Sequence, residues 1–93
     1  MSTDGILTEL RTFVRENFLY MRSDLAFGDE DSLLARGIID SLGVMELVGF
    51  VEERFGLAVS PDDITAEHFG TLGSVARYVA SRQASRHGAG ATN

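Results

Sequence analysis

Several residue types are missing from this chain of 93 residues, and each absence excludes a class of site. It has no cysteine, which rules out a disulfide, a thiolate nucleophile and a cysteine-based metal site. No apolar run approaches the ~18 residues that a membrane-spanning helix needs. The opening MSTDGILTEL lacks the basic-then-apolar order of a signal peptide. We therefore expect a soluble, cytoplasmic protein without membrane contact.

Positive charge is also scarce. All eight basic residues are arginine, against 14 acidic residues, and the formal net charge is −6. Proteins that bind nucleic acid need a basic stripe to displace counterions from phosphates, and this chain has none, so we expect no nucleic-acid partner. Acidic residues dominate positions 40 to 67, where Arg54 is the one basic residue. Such a surface either suits partners with basic docking patches or is simply solvated.

The apolar residues predict an all-α fold. Their three- and four-residue spacing indicates helices at about 4–20 and 41–55, a short one between 60 and 70, and one from 72 onward. No alternating run of β-branched residues predicts a strand. We therefore expect a four-helix bundle of three main helices and one short helix, with a long loop at 21–40 between helices one and two. The last segment, 86–93, is predicted to be a disordered tail.

Local signals predict where these helices begin and end. The expected N-terminal caps are Asp4, Ser60 with Pro61 and a capping-box Asp63, and Thr71, while Gly56 ends the second helix. The run DEDS at 29–32 does not follow the calcium-loop pattern, because Leu33 stands at the third ligand position and the glycine is missing. We expect no metal site.

The second helix has two different faces when its residues are placed at about 100° per step. One arc of the helix is purely apolar and predicts a buried face: Val44, Leu47, Val48, Val51 and Phe55. The opposite arc mixes apolar and acidic residues: Leu42, Met45, Glu46, Gly49, Glu52 and Glu53. Exposed apolar side chains beside carboxylates are typical of a docking surface, although Leu42 and Met45 could instead fill gaps in the fold.

Ser41 stands at the start of this helix and has two possible roles. Serine is a common N-cap, so its hydroxyl could serve the helix alone. A phosphate on that hydroxyl would instead lie at the positive end of the helix, next to free backbone N–H groups. A catalytic nucleophile would need a base and an oxyanion hole. The only histidines are His68 and His87, and no Gly-x-Ser-x-Gly motif surrounds Ser41, so no catalytic residue is predicted.

Three stretches of the span from Leu33 to Val79 resemble the acyl carrier protein family. They are GIIDSLGVMELVGFVEERFG, DDIT and TLGSVARYV. The resemblance implies that Ser41, in Asp-Ser-Leu, is the attachment site of 4′-phosphopantetheine, which a phosphopantetheinyl transferase takes from coenzyme A. The arm's thiol would hold an acyl group as a thioester. It also implies a carrier protein domain at 1–85, acting in trans as a discrete, monomeric and non-catalytic protein.

The same resemblance implies which residues meet partner enzymes. Asp40 and Leu42 would contact the transferase. Met45, Glu46, Glu52 and Glu53 match the family's recognition helix, which would dock on acyl-loading, condensing or tailoring enzymes with basic patches. Gly43 and Gly49 stand where many fatty-acid carriers have an acidic and a larger apolar residue. Both glycines are expected to reduce the recognition face, and each lowers helix stability by roughly 1 kcal/mol relative to alanine.

The sequence is therefore compatible with three hypotheses of function. The first is a carrier of acyl intermediates in polyketide, specialised or fatty-acid-type biosynthesis. The second is an aminoacyl or peptidyl carrier loaded by an adenylating enzyme, since some free-standing carriers of that kind resemble GIIDSLGVMEL. The third, of another class, is an unmodified helical adaptor that uses its acidic face.

Overall fold

The computed structural model describes the backbone at residues 2–18 and 27–92, and the side chains as far as Ala84. These residues form four α-helices and one 3-10 helix, and none of them lies in a strand: α1 Thr3–Phe18, α2 Ser41–Phe55, the 3-10 helix Pro61–Asp63, α3 Ala66–Phe69 and α4 Leu72–Thr92. The predicted all-α class is confirmed. Within the described part of the chain, no helix combines the length and apolarity needed to cross a bilayer.

One hydrophobic core joins the four α-helices. α4 packs against both α1 and α3. The helical spacing of apolar residues brings one face of each helix to the interior, where the following side chains are fully buried: Ile6, Leu10, Val14, Leu47, Val51, Leu72, Val75 and Val79. Leu33, from the segment before α2, is also fully buried. The rings of Phe13 and Phe50 stack with centroids 4.2 Å apart and link α1 to α2.

The start of α1 differs from the prediction. Ser2, rather than Asp4, caps the helix, because the backbone N–H of Gly5 donates to Ser2 Oγ at 3.2 Å and that of Ile6 to the Ser2 carbonyl at 3.0 Å. Asp4 lies inside the first turn, where a carboxylate still faces the positive end of the helix dipole. The predicted end at Tyr20 lies outside the described residues.

The predicted short third helix is two separate turns. Ser60 caps the 3-10 helix through the N–H of Asp62, and Pro61 begins it as predicted. Ile64 then leaves the helical region, with φ −83° and ψ 76°, and Thr65 caps α3. Asp63 forms no capping box, because its carboxylate accepts a hydrogen bond from the Tyr78 hydroxyl at 2.8 Å. A contact across the fold thus replaces the local one that the spacing suggested.

The start of α4 is capped as predicted. Ser74 N–H donates to Thr71 Oγ1 at 3.0 Å, and Thr71 N–H donates to Ser74 Oγ at 3.2 Å. α4 continues to Thr92, over most of the segment 86–93 for which a disordered tail was predicted. The division into a domain at 1–85 and a tail stays a prediction.

Residues 27–40 of the predicted long loop consist of turns and bends, and residues 21–26 lie outside the described part. Two backbone hydrogen bonds attach this segment to the start of α4, from Leu33 N–H to the Gly70 carbonyl and from Gly73 N–H to the Asp29 carbonyl. Any side chain at Gly73 would collide with the Glu30 carboxylate. The segment thus leads into α2 from a defined place on the core.

Candidate functional site

The N-terminal end of α2 lies at the surface because the residues just before it are buried. Ile38 and Ile39 enter the core, with 3% and 4% of their area exposed. Both of their N–H groups donate to the Leu33 carbonyl, which closes a turn around Gly37. Gly37 has φ +69°, a left-handed conformation that favours glycine. The chain then emerges with Asp40 and Ser41 exposed.

Asp40, rather than Ser41, caps α2. Its backbone is extended, and its Oδ1 accepts a hydrogen bond from Gly43 N–H at 2.7 Å. Ser41 is the first residue of the helix. Its hydroxyl therefore has no capping duty, and it forms no hydrogen bond with the residues that the structure describes. Asp40 therefore fills the capping role that was one of the two considered for Ser41.

Gly43 belongs to the buried side of α2 and not to its outer face. A Cβ at this position would lie 3.0 Å from Cβ of Ile39 and 3.0 Å from Cε1 of Phe18. The absence of a side chain lets the end of α1 and the turn before α2 come close to the helix. The sequence-based view that Gly43 reduces the recognition face is therefore wrong.

Apolar side chains surround Ser41 at the surface. Leu42 is 71% exposed and Met45 is 52% exposed, so neither fills a gap in the fold. Leu34, 52% exposed, comes from the preceding turn and lines an open groove together with Ser41 and Leu42. Sequence analysis missed Leu34. No local signal marks it, because adjacent apolar residues of this segment can both be buried, as Ile38 and Ile39 are.

The acidic residues of α2 divide into two groups. Glu46 and Glu53 are exposed on the same side as Leu42 and Met45. Glu52 is partly buried, and its Oε2 accepts a hydrogen bond from Val59 N–H at 2.8 Å. Five of the six predicted docking residues are exposed at the start or on the outer side of α2, namely Asp40, Leu42, Met45, Glu46 and Glu53. Glu52 instead holds the segment that follows α2.

No histidine lies beside Ser41 among the described residues. His68 is on α3, where its ring lies 4.9 Å from that of Tyr78, and it does not line the groove at Ser41. Tyr78 in turn donates to Asp63 and accepts from Arg82, so this polar cluster ties the short turns to α4. Burial and the bond to Asp63 raise the pKa of the Tyr78 phenol, against the opposing effect of Arg82.

Comparison with known proteins agrees with this geometry. Residues 10–79 match the family model described as the phosphopantetheine attachment site. The chain is also 38% identical over 64 residues to the D-alanyl carrier protein of Abiotrophia defectiva, an alignment that covers 69% of this chain and 76% of that protein. The chain therefore belongs to the phosphopantetheine-binding carrier protein family, whose members bear a covalently attached 4′-phosphopantetheine.

Proposed function

We propose that Ser41 carries the 4′-phosphopantetheine arm and that the arm holds an aminoacyl group. The observation that carries the first part is the exposure of Ser41 at the start of α2, with Asp40 acting as the cap. The hydroxyl is accessible to a transferase. In the transfer, a bond forms between Ser41 Oγ and the phosphorus next to pantetheine in coenzyme A. The pyrophosphate bond breaks, the nucleotide leaves, and the hydroxyl proton passes to the transferase.

The start of α2 suits the phosphodiester that this reaction produces. The N–H groups of a helix's first turn have no partner within the helix, and they point toward an anion at that end. Asp40 uses the N–H of Gly43, which leaves the N–H groups of Ser41 and Leu42 to a phosphate. The Asp40 carboxylate opposes a second anion, but its exposure to water weakens that repulsion.

Aminoacyl cargo is supported by the relative whose name specifies a D-alanyl group. Leu33 and Leu47 of the described core are fully buried. A short aminoacyl group needs no cavity, whereas a long acyl chain must either displace core side chains or remain in water. We therefore favour an aminoacyl carrier, loaded by an adenylating enzyme, over a fatty-acid or polyketide carrier.

The attachment site is tested by incubating the chain with coenzyme A and a broad-specificity phosphopantetheinyl transferase. Intact-mass analysis should show one added arm on the wild type and none on Ser41→Ala. Ser81→Ala is the matched control, because Ser81 is exposed on α4 and should leave the modification unchanged. An unmodified wild type would favour the helical adaptor, and an arm on Ser41→Ala would exclude this serine.

The cargo is tested on the arm-bearing protein. One reaction contains ATP, D-alanine or L-alanine, and an adenylating enzyme that loads the Abiotrophia defectiva relative. The other contains acyl-coenzyme A donors and acyltransferases of fatty-acid and polyketide type. We expect an aminoacyl mass increase in the first reaction only. Efficient loading in the second reaction alone would support the acyl alternative.

A further inference from the structure

Gly49 has no role in the packing of the described fold. It lies in the middle of α2, it is exposed, and a Cβ there would meet nothing within 4 Å. Glycine is among the poorest helix formers, so α2 itself gains nothing from it. Gly43 differs, because Phe18 and Ile39 approach it closely. The space that Gly49 leaves open is therefore on the outside of the protein.

That space belongs to a groove between α1 and α2. Phe13 and Asn17 line the groove from α1, and Gly49 and Phe50 line it from α2. The stacked rings of Phe13 and Phe50 give it an apolar wall. The stem of a long side chain could lie against this wall and directly over the backbone of α2, which a larger residue at position 49 would prevent.

The charges around the groove favour a basic occupant. Glu46 and Glu53 both line it, three residues before and four residues after Gly49, so they flank the gap on one face of α2. Neither carboxylate forms an ion pair with the residues that the structure describes. Arg54 also lines the groove, but its guanidinium binds Glu9 of α1. The unpaired charge in the groove is negative.

The groove lies within reach of any enzyme that covers Ser41. Gly49 follows Ser41 by eight residues, which is about 12 Å along the helix axis. Both residues are on the exposed side of α2. A stable interface covers about 800 Å² on each partner, and a patch of that size around Ser41 extends across Gly49.

We propose that Gly49 opens a slot for an arginine or lysine side chain of the enzyme that loads the arm. The stem of that side chain packs over Gly49 and along Phe50, and its charged end lies between Glu46 and Glu53. This inference rests on the proposed function, since the loading enzyme binds here because the arm is on Ser41.

Two substitutions at position 49 separate this role from a structural one. Gly49→Ala should raise the melting temperature by about 4–8 °C, because alanine favours the helix and the site is open. Gly49→Leu should raise the KM of the loading enzyme for the arm-bearing protein about tenfold, with kcat unchanged, because it fills the slot. Ser81→Ala, also exposed in a helix, should leave KM unchanged. A KM for Gly49→Leu equal to that of the wild type would overturn the proposal.

The charge of the occupant is tested by the double substitution Glu46→Gln with Glu53→Gln. KM of the wild type should rise with NaCl concentration, and the double variant should show a higher KM that depends less on salt. An unchanged salt dependence would overturn the assignment of a basic side chain. The mass of each protein is measured before loading. A wild type without the arm refutes the proposed function, whereas normal loading of arm-bearing Gly49→Leu refutes the slot alone.

Discussion

Two acidic regions of this protein have the same charge and different uses. In the segment before α2, Asp29, Glu30 and Asp31 each pair with a different arginine: Arg11, Arg77 and Arg36 respectively. On the outer face of α2, Glu46 and Glu53 form no ion pair with described residues. The pairs of Asp29 and Glu30 attach a segment without regular helix to α1 and α4, and the pair of Asp31 with Arg36 lies within that segment. The second group leaves its charge available to a partner.

The carboxylates of the segment before α2 and their arginine partners form several contacts each. Glu30 accepts from Arg77 at 2.9 Å and from Thr71, and its pKa is lowered chiefly by the hydrogen bond from Arg77. Arg11 donates to both Asp29 and the Phe27 carbonyl and lies over the Phe27 ring. Arginine can make several such contacts at once because its guanidinium is planar and has five donors. Amino-acid composition alone therefore does not distinguish a carboxylate that stabilises the fold from one that is available to a partner.

The largest expected effect comes from two adjacent leucines of the loop. Leu33→Ala should lower the free energy of unfolding by about 2–5 kcal/mol, because the side chain is fully buried and leaves a cavity. Leu34→Ala should change it by less than about 0.5 kcal/mol, because Leu34 is half exposed. Urea denaturation of both variants measures the difference. Equal losses would mean that Leu34 also serves the core.

Charge reversal compares the two acidic regions directly. The double variant Glu46→Lys with Glu53→Lys should raise the KM of the loading enzyme at low salt by about tenfold or more. Its stability should change by less than about 0.5 kcal/mol. Glu30→Lys is the matched control, and it should lower the melting temperature while leaving KM near the wild-type value. A folding defect in the double variant, or normal loading by it, would contradict this division.

Two adjacent glutamates of α2 provide a smaller and more local comparison. Glu52→Ala should destabilise the fold by about 1 kcal/mol, because Val59 N–H loses its acceptor. Glu53→Ala should leave stability nearly unchanged and weaken loading instead. Thermal unfolding and loading kinetics on both variants test the two roles. If Glu52→Ala affected only loading, the hydrogen bond from Val59 N–H would contribute nothing to the stability of the fold.

The smallest effect is a pH dependence from the polar cluster at Tyr78. The pKa of the Tyr78 phenol is raised above the usual 10.0, first by burial and then by the hydrogen bond to Asp63. The unfolded chain loses this proton at a lower pH than the folded protein. The contribution of Tyr78 to the free energy of unfolding is therefore fully present below about pH 10 and decreases as the pH rises above it. Urea unfolding at about pH 8 and pH 10.5 should show a steeper loss for the wild type than for Tyr78→Phe. Parallel losses would assign the dependence to other groups.

Much of α2 was predictable because its signals are local. The helix runs from Ser41 to Phe55 with Gly56 at its C-terminal cap, as expected from the apolar spacing and the glycine. The exposure of Leu42 and Met45 was one of two alternatives that the helix pattern left open, and the resemblance to acyl carrier proteins favoured it. The role of Glu52 was not foreseen. Glu52 lies at the edge of the outer arc, where its side chain could either face solvent or contact the segment that follows α2.

By itself, the sequence determined the all-α class and the limits of α2. Each follows from contacts within a few residues, where hydrogen-bonding geometry and side-chain periodicity are set by the chain itself. Only the tertiary structure decided that Asp63 binds Tyr78, that Gly43 faces Phe18, and that one glutamate of an adjacent pair holds Val59. These depend on which distant segments meet, because a side chain takes the partner that packing brings within reach.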